Sequence, residues 1–323
     1  MINIFQVTFP FFALVFCGYV AARRRLLPLE AIAGLNGFVL YFAVPCMLYR
    51  FGANTPVAQL LDPGVLITWL VCALVMVGFS IVSSLNVRIG WNDASFGALV
   101  AAFPNSGFMG VPLLVAIMGV ASAGPVILTI TIDLLITTTL CIALSQLDGA
   151  DEHGMAKAFK KTLKGAASNP MPWAILAGAV VSWRDLSLPG PVHATVGLLA
   201  DAASPVALFT IGVVLARSQM LAISGHAPKP VLADYLPVAL FKLLLHPLLV
   251  LLVGSAVMKL GVSMSSFALT VLVLTAALPS ASNVSLLAER YGADNGRIAR
   301  IILVSTAASF VSFSLLVGLV TAS

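Results

Sequence analysis

Apolar residues run through this chain in long blocks separated by short polar turns. A helix needs about 20 predominantly apolar residues to cross a bilayer. On that measure ten spans are expected, at 3–22, 30–50, 64–86, 94–119, 124–146, 170–184, 193–216, 234–259, 265–288 and 298–320. Only one connection, 147–169, is sizeable. Met155, Phe159 and Leu163 recur there at every fourth position, with lysines on the other faces. That pattern predicts a short amphipathic helix on the inner leaflet; a solvated linker is the other reading. The connection divides the chain into one five-span half over 1–146 and another over 170–323.

Two blocks are interrupted in the same way. Ala101-Ala102-Phe103-Pro104-Asn105-Ser106-Gly107 breaks span 4, and Ala276-Ala277-Leu278-Pro279-Ser280-Ala281-Ser282-Asn283 breaks span 9. Proline removes a backbone donor and clashes with the preceding turn. The freed N–H and C=O groups are tolerated only inside protein or beside a wet cavity. With five spans per half, the second half enters the membrane inverted. Weaker correspondences follow the same order: Phe42-Ala43-Val44-Pro45 with Ala202-Ala203-Ser204-Pro205, and Ile127-Leu128-Thr129-Ile130-Thr131 with Ile302-Leu303-Val304-Ser305-Thr306. Matched breaks in inverted repeats are the sequence pointer to a transport site at mid-membrane.

Composition agrees with this picture and narrows it. The chain has 323 residues, is 60% hydrophobic and only 9% charged, against about 25% charged in a soluble domain. An integral membrane protein is expected, with no nucleic-acid partner. Of the 17 Lys and Arg, only Arg50, Arg184 and Lys259 fall in outer loops when the N-terminus is placed outside, and Lys242 lies within span 8. The remainder are cytoplasmic, which puts both termini on the outer, periplasmic side of the cell inner membrane. The first block has no basic leader or Ala-x-Ala site and reads as a span rather than a cleaved signal. Cys17, Cys46, Cys72 and Cys141 lie in apolar runs and form no metal-ligand spacing. No GxxxxGK[ST] loop, HExxH or GxSxG turn is present, so neither an ATP-driven engine nor an intramembrane hydrolase is indicated.

At each break a new half-helix begins, presenting free N–H groups and roughly half a positive charge. An anion is favoured there. Pro104, Asn105, Ser106 and Gly107, with Pro279, Ser280, Ser282 and Asn283, are the candidate substrate-binding residues. One such proline would read as a simple kink; two, each with an asparagine at matching places, favour a site. Intramembrane charges cost about 2.5–3.5 kcal/mol or more and point to function. Asp133 in span 5 and Lys242 in span 8 are candidates for a coupling or counter-charge role, for H+ or Na+. A structural Asp133–Lys242 ion pair is the alternative. His246, one turn after Lys242, is assigned to packing or a backbone hydrogen bond, with a proton relay as the alternative, and Asp201 to bonding within the supporting helices, with a functional role as the alternative. Asn36 and Tyr41 in span 2 either line a substrate path or serve polar packing. No organic cofactor or metal is expected.

The residues carry a resemblance. Phe103-Pro104-Asn105-Ser106-Gly107-Phe108-Met109-Gly110-Val111-Pro112-Leu113-Leu114 resembles the span-4 signature of the auxin efflux carrier family, which includes bacterial permeases for malonate and malate. Asn36-Gly37-Phe38-Val39-Leu40-Tyr41-Phe42-Ala43-Val44-Pro45 is similar to its span-2 pattern. Ala277-Leu278-Pro279-Ser280-Ala281-Ser282-Asn283, followed by Ala288-Glu289-Arg290-Tyr291-Gly292, is similar to its span-9 pattern. The resemblance implies an all-α fold of the bile-acid-sodium-symporter type, with spans 4 and 9 crossed at their breaks. Spans 1, 2, 6 and 7 would form a scaffold, spans 3–5 and 8–10 a mobile core, and a homodimer would form through the scaffold. It also implies that Asn105 helps hold a substrate carboxylate. The short 147–169 connection replaces the long loop of many plant members and points to the bacterial branch. The expected function is secondary transport of small mono- or dicarboxylates by elevator-type alternating access. The rival is a sodium-coupled symporter of larger amphipathic acids on the same fold. A receptor or a channel is the reading from a different class.

Overall fold

The structure, a computed structural model, describes residues 2–55, 62–146, 170–223 and 231–322. The 147–169 connection, and with it the expected amphipathic helix, lies outside those residues. The described residues are helical and contain no strand. In chain order the helices are α1 (Ile2–Arg23), α2 (Ala31–Phe38), α3 (Val44–Asn54), α4 (Pro63–Ser84), α5 (Trp91–Ala102), α6 (Val111–Met118), α7 (Ala123–Ile132) and α8 (Thr138–Ser145). They continue as α9 (Pro170–Trp183), α10 (Gly190–Ile223), α11 (Leu232–Leu240), α12 (His246–Lys259), α13 (Ser266–Ala276), α14 (Asn283–Arg290) and α15 (Asn295–Ala322). Among the described residues six helical stretches are long and apolar enough to cross a membrane: Ala31–Asn54, Pro63–Ser84, Val120–Ser145, Gly190–Arg217, Leu232–Lys259 and Asn295–Leu319.

Helix starts follow local chemistry. The Asp62 carboxylate accepts from the Val65 amide at 3.0 Å, with Pro63 in the first turn of α4, where its missing N–H costs nothing. Ser265 likewise caps α13 by accepting from the Ala268 amide.

Several spans change winding midway. Wide π-helical turns occupy Val39–Ala43, Ser106–Gly110, Asp133–Thr137 and Phe241–Leu245. Three of them end two residues before a proline: Pro45, Pro112 and Pro247. A proline ring collides with the carbonyl four residues earlier. That carbonyl belongs to Tyr41, Phe108 or Leu243, the middle residue of each wide turn. Widening the turn moves the carbonyl aside and keeps the span continuous. The fourth turn has no such proline; there Thr138 donates both its amide and its hydroxyl to the Asp133 carbonyl. Proline alone does not break a span: Pro10 and Pro205 sit inside uninterrupted helices.

The helices gather into two compact units. The first comprises 1–61, 107–128 and 170–229; the second comprises 62–106, 129–169 and 230–323. Within the first, α1 packs on α10 and α3 on α9. Both contacts are glycine-made. A Cβ on Gly18 would run into the Phe209 carbonyl, and one on Gly212 into the Val15 carbonyl. One on Gly52 would meet the Ile175 carbonyl, and one on Gly178 the Tyr49 carbonyl. Small residues let backbones touch where apolar solvent provides no other drive for association. Phe16, Trp173, Trp183 and Leu198 project outward from this unit.

The second unit packs α5 and α12 against α4, α8 against α5, and α11 against α15, around Trp69, Met76, Phe96, Leu99 and Leu272. It holds nearly all the buried polar side chains. Among the described residues only Thr55, Ser122 and Thr210 are buried polar residues of the first unit.

Candidate functional site

α5 ends at Ala102 and α13 at Ala276, each just ahead of its proline. The two interruptions meet in the second unit. Pro104 lies opposite Ser280 in a single antiparallel bridge. The Asn105 amide donates to the Pro279 carbonyl at 2.8 Å, and the Ala281 amide donates to the Phe103 carbonyl at 2.9 Å. These bonds flank the Pro104–Ser280 pair, so the proline, which has no N–H, sits where none is needed. The Ser106 amide turns back onto the Pro104 carbonyl at 2.7 Å, and the Ser280 amide donates to Ser305 Oγ at 3.2 Å.

The side chains at the junction are left unspent. Asn105 is only 4% exposed, yet among the described residues its side-chain amide makes no hydrogen bond. Ser280 Oγ is buried without a partner. Ser282 is buried at the start of α14 and caps no amide. Asn283, in the first turn of α14, is half-buried. Buried polar atoms are ordinarily paired, so the unpartnered Ser280 Oγ, with the Asn105 side chain near it, suits a polar guest. Gly107 follows directly on Ser106 in the chain and belongs to the first unit, where a Cβ on it would stand 3.7 Å from Met47 Cε. Asn36 and Tyr41 also belong to the first unit, half-buried on α2 and exposed on its wide turn. Asp201 pairs there with Arg50 at 2.6 Å.

Asp133 and Lys242 are both fully buried in the second unit, and each lies in a wide turn. They do not form an ion pair with each other. Asp133 Oδ1 accepts from Trp69 Nε1 at 3.1 Å and from Thr137 Oγ1 at 3.0 Å, while Oδ2 has no partner. Lys242 Nζ donates to the Ala276 carbonyl at 2.6 Å and shares a 3.0 Å contact with His246 Nδ1. Ala276 is the last residue of α13, so Lys242 holds the negative end of a half-helix just before the break. His246 Nε2 is buried and unpartnered, and its ring lies 5.2 Å from that of Trp69.

Sequence reading placed Asp133 and Lys242 in the spans but assigned nothing to Trp69 or Thr137. It also missed a second polar assembly. Arg297, 4% exposed, donates from Nε to the Asp234 carbonyl and from Nη1 to the Asp93 carbonyl, each at 2.7 Å. Its guanidinium lies flat on Gly97, where a Cβ would stand 2.7 Å from Nη1. The signal that finds it is that glycine, paired with an Arg set one turn into an apolar span.

The model of the membrane transport protein family matches residues 3–317. A candidate malonate transporter of Rhizobium meliloti (strain 1021) is 28% identical over 323 residues, covering 99% of this chain and 97% of the relative. An uncharacterized transporter of Escherichia coli (strain K12) is 27% identical over 87% of this chain and 86% of its own length. Auxin efflux carrier component 8 of Arabidopsis thaliana is 23% identical over 69% of this chain and 74% of its own. The chain is a multi-pass membrane protein and belongs to the membrane transport protein family, that of the auxin efflux carriers.

Proposed function

We propose that this chain is a secondary transporter of small organic anions, mono- or dicarboxylates such as malonate or malate, in the cell inner membrane. The observation that carries this is the junction of the two broken helices. It joins backbone to backbone, leaves the Ser280 hydroxyl buried without a partner, and leaves the side-chain amide of the largely buried Asn105 without a hydrogen bond among the described residues. A carboxylate offers the acceptors that those donors and the adjoining half-helix starts lack. The likeness to a candidate malonate transporter supports the substrate class.

The proposed topology is ten spans in two inverted halves with both termini outside. Four shorter apolar helices, Ala13–Arg23, Ser106–Met118, Trp173–Trp183 and Ser266–Ala276, supply the spans beyond the six long ones. The glycine contacts support the inversion. Exchanging spans 1–5 with spans 6–10 turns the contact of spans 1 and 7, made by Gly18 against Phe209 and Gly212 against Val15, into the contact of spans 6 and 2, made by Gly178 against Tyr49 and Gly52 against Ile175. In the proposed cycle the spans carrying the junction move against spans 1, 2, 6 and 7, exposing the bound anion to each side in turn. A homodimer through those four spans is part of the same proposal.

The test is purified protein in proteoliposomes loaded with malonate, assayed for labelled-malonate counterflow and for a malonate-induced thermal shift. Wild type exchanges label and is stabilised. Asn105→Ala inserts and folds but loses saturable exchange; wild-type exchange by that variant overturns the role of Asn105. Uptake that requires sodium, or prefers larger amphipathic acids, would replace this substrate assignment with the sodium-symporter alternative.

A further inference from the structure

The buried group behind the junction has two complementary loose ends. Lys242 Nζ is an ammonium donor, so the His246 Nδ1 that it touches at 3.0 Å is an acceptor. The proton of neutral His246 is then on Nε2, which has no partner. Asp133 supplies the converse, an unpartnered acceptor at Oδ2. Trp69 stands between them, donating to Asp133 Oδ1 while its ring tilts against the imidazole. Both ionisable spans are wound into wide turns at these residues, a distortion that recurs at functional sites.

We infer that Asp133 is a proton-coupling residue whose charge is transmitted to the substrate junction through Lys242 and the Ala276 carbonyl. This rests on the carboxylate-transport reading and names its coupling ion. In the ionised state the Asp133 carboxylate balances the Lys242 ammonium in one low-dielectric cluster. When Oδ2 takes a proton from hydronium, releasing water, the carboxylate becomes a neutral acid. The positive charge of Lys242 is then uncompensated at the end of α13, next to Pro279 and Ser280, and an anion at the junction is favoured. Linkage is reciprocal, so a bound anion draws the proton onto Asp133 by the same factor. Proton and carboxylate therefore travel together.

Other titratable groups around Asp133 do not supply this charge. Cys141 lies on its own span and Cys72 one turn from Trp69 on α4, and both are buried thiols. On the remaining packed elements, Asp93 of α5 and Arg297 of α15 are engaged with each other and with Asp234 and Asp294. α13 contributes only the Ala276 carbonyl to the cluster.

The experiment uses the full chain in sodium-free proteoliposomes with labelled malonate, between about pH 7 and 9, well above the ordinary carboxyl range of about 4. Counterflow without a gradient reports transport itself. Uptake after an inside-alkaline step of one pH unit, at a clamped membrane potential of zero, reports coupling. For one proton per substrate wild type accumulates label up to about tenfold, since a pH unit and a tenfold concentration ratio carry the same free energy. Asp133→Asn keeps counterflow and loses the accumulation. The coupling assignment is overturned if wild type shows counterflow but no response to the step, or if Asp133→Asn accumulates like wild type. Absence of counterflow in wild type is instead a failure of the transport reading. In that case infrared difference spectra still decide Asp133: acidification yields a protonated-carboxyl band in wild type that Asp133→Asn lacks, and its absence from wild type overturns the proposal. Should Asp133→Asn not fold, Trp69→Phe removes one donor to the carboxylate, and the midpoint of that band moves to higher pH; an unmoved midpoint overturns the assignment.

Discussion

The two units of this protein are held together by different means. In the first, helices meet through glycines, backbone on backbone, with few buried polar groups. In the second, helices enclose an aspartate, a lysine, a histidine and an arginine, with serines and threonines among them. Glycine contacts are short-range and tolerate no added atom, so they give a rigid frame. Buried polar groups are costly when unpaired, so leaving Ser280 Oγ, Asp133 Oδ2 and His246 Nε2 without partners, with the Asn105 side chain unbonded beside them, destabilises the second unit locally. Free donors and acceptors are what a guest requires, and the first unit carries none of these four. The buried polar side chains are thus concentrated in one of the two units.

The contrast can be broken most severely in the frame. Gly212→Leu places a side chain where the Val15 carbonyl already stands. Overpacking typically costs about 1–3 kcal/mol; here the obstacle is backbone, and the expected result is loss of monodisperse folded protein in detergent size-exclusion chromatography. In the second unit, Asn105→Ala leaves both junction bonds in place, because they are made by backbone atoms. Melting temperature should hold, while malonate affinity falls by at least about tenfold, about 1.4 kcal/mol, read by calorimetry. Lys242→Met keeps the span apolar but orphans the Ala276 carbonyl. A buried acceptor left unpaired costs about 1–3 kcal/mol, seen as a lower melting temperature without loss of insertion. Asp201→Asn is the mildest. Its pair with Arg50 is largely exposed, with side-chain exposures of 69% and 33%, and such pairs contribute about 0–1 kcal/mol, so the thermal melt should barely move.

Much of this could be read from residue types. The breaks at Pro104 and Pro279 were legible because each proline is followed by small polar residues; Pro205, followed by Val206 and Ala207, stays in a continuous helix. Three wide turns have a proline two residues beyond them, but Pro205 has no such turn before it, so the proline permits the turn without dictating it. The turn at Asp133 is not encoded that way, since it depends on where Thr138 directs its hydroxyl. Gly18 and Gly212 are visible as glycines, but their contacts, with Phe209 and Val15, join residues on different spans and no local pattern records them. For the same reason Trp69 reads as one more apolar residue of α4 until the packing of span 5 brings Asp133 to its indole nitrogen. His246, assigned to packing or a backbone bond, does pack against Trp69 and also meets Lys242 Nζ one turn away, which the spacing allowed but did not require.

The joint between the broken helices is fastened by main-chain atoms of Phe103, Asn105, Pro279 and Ala281. Such a fastening is indifferent to the identity of most groups hung upon it. Side chains at positions 105, 106, 280 and 282 can therefore be exchanged without unfastening the joint itself.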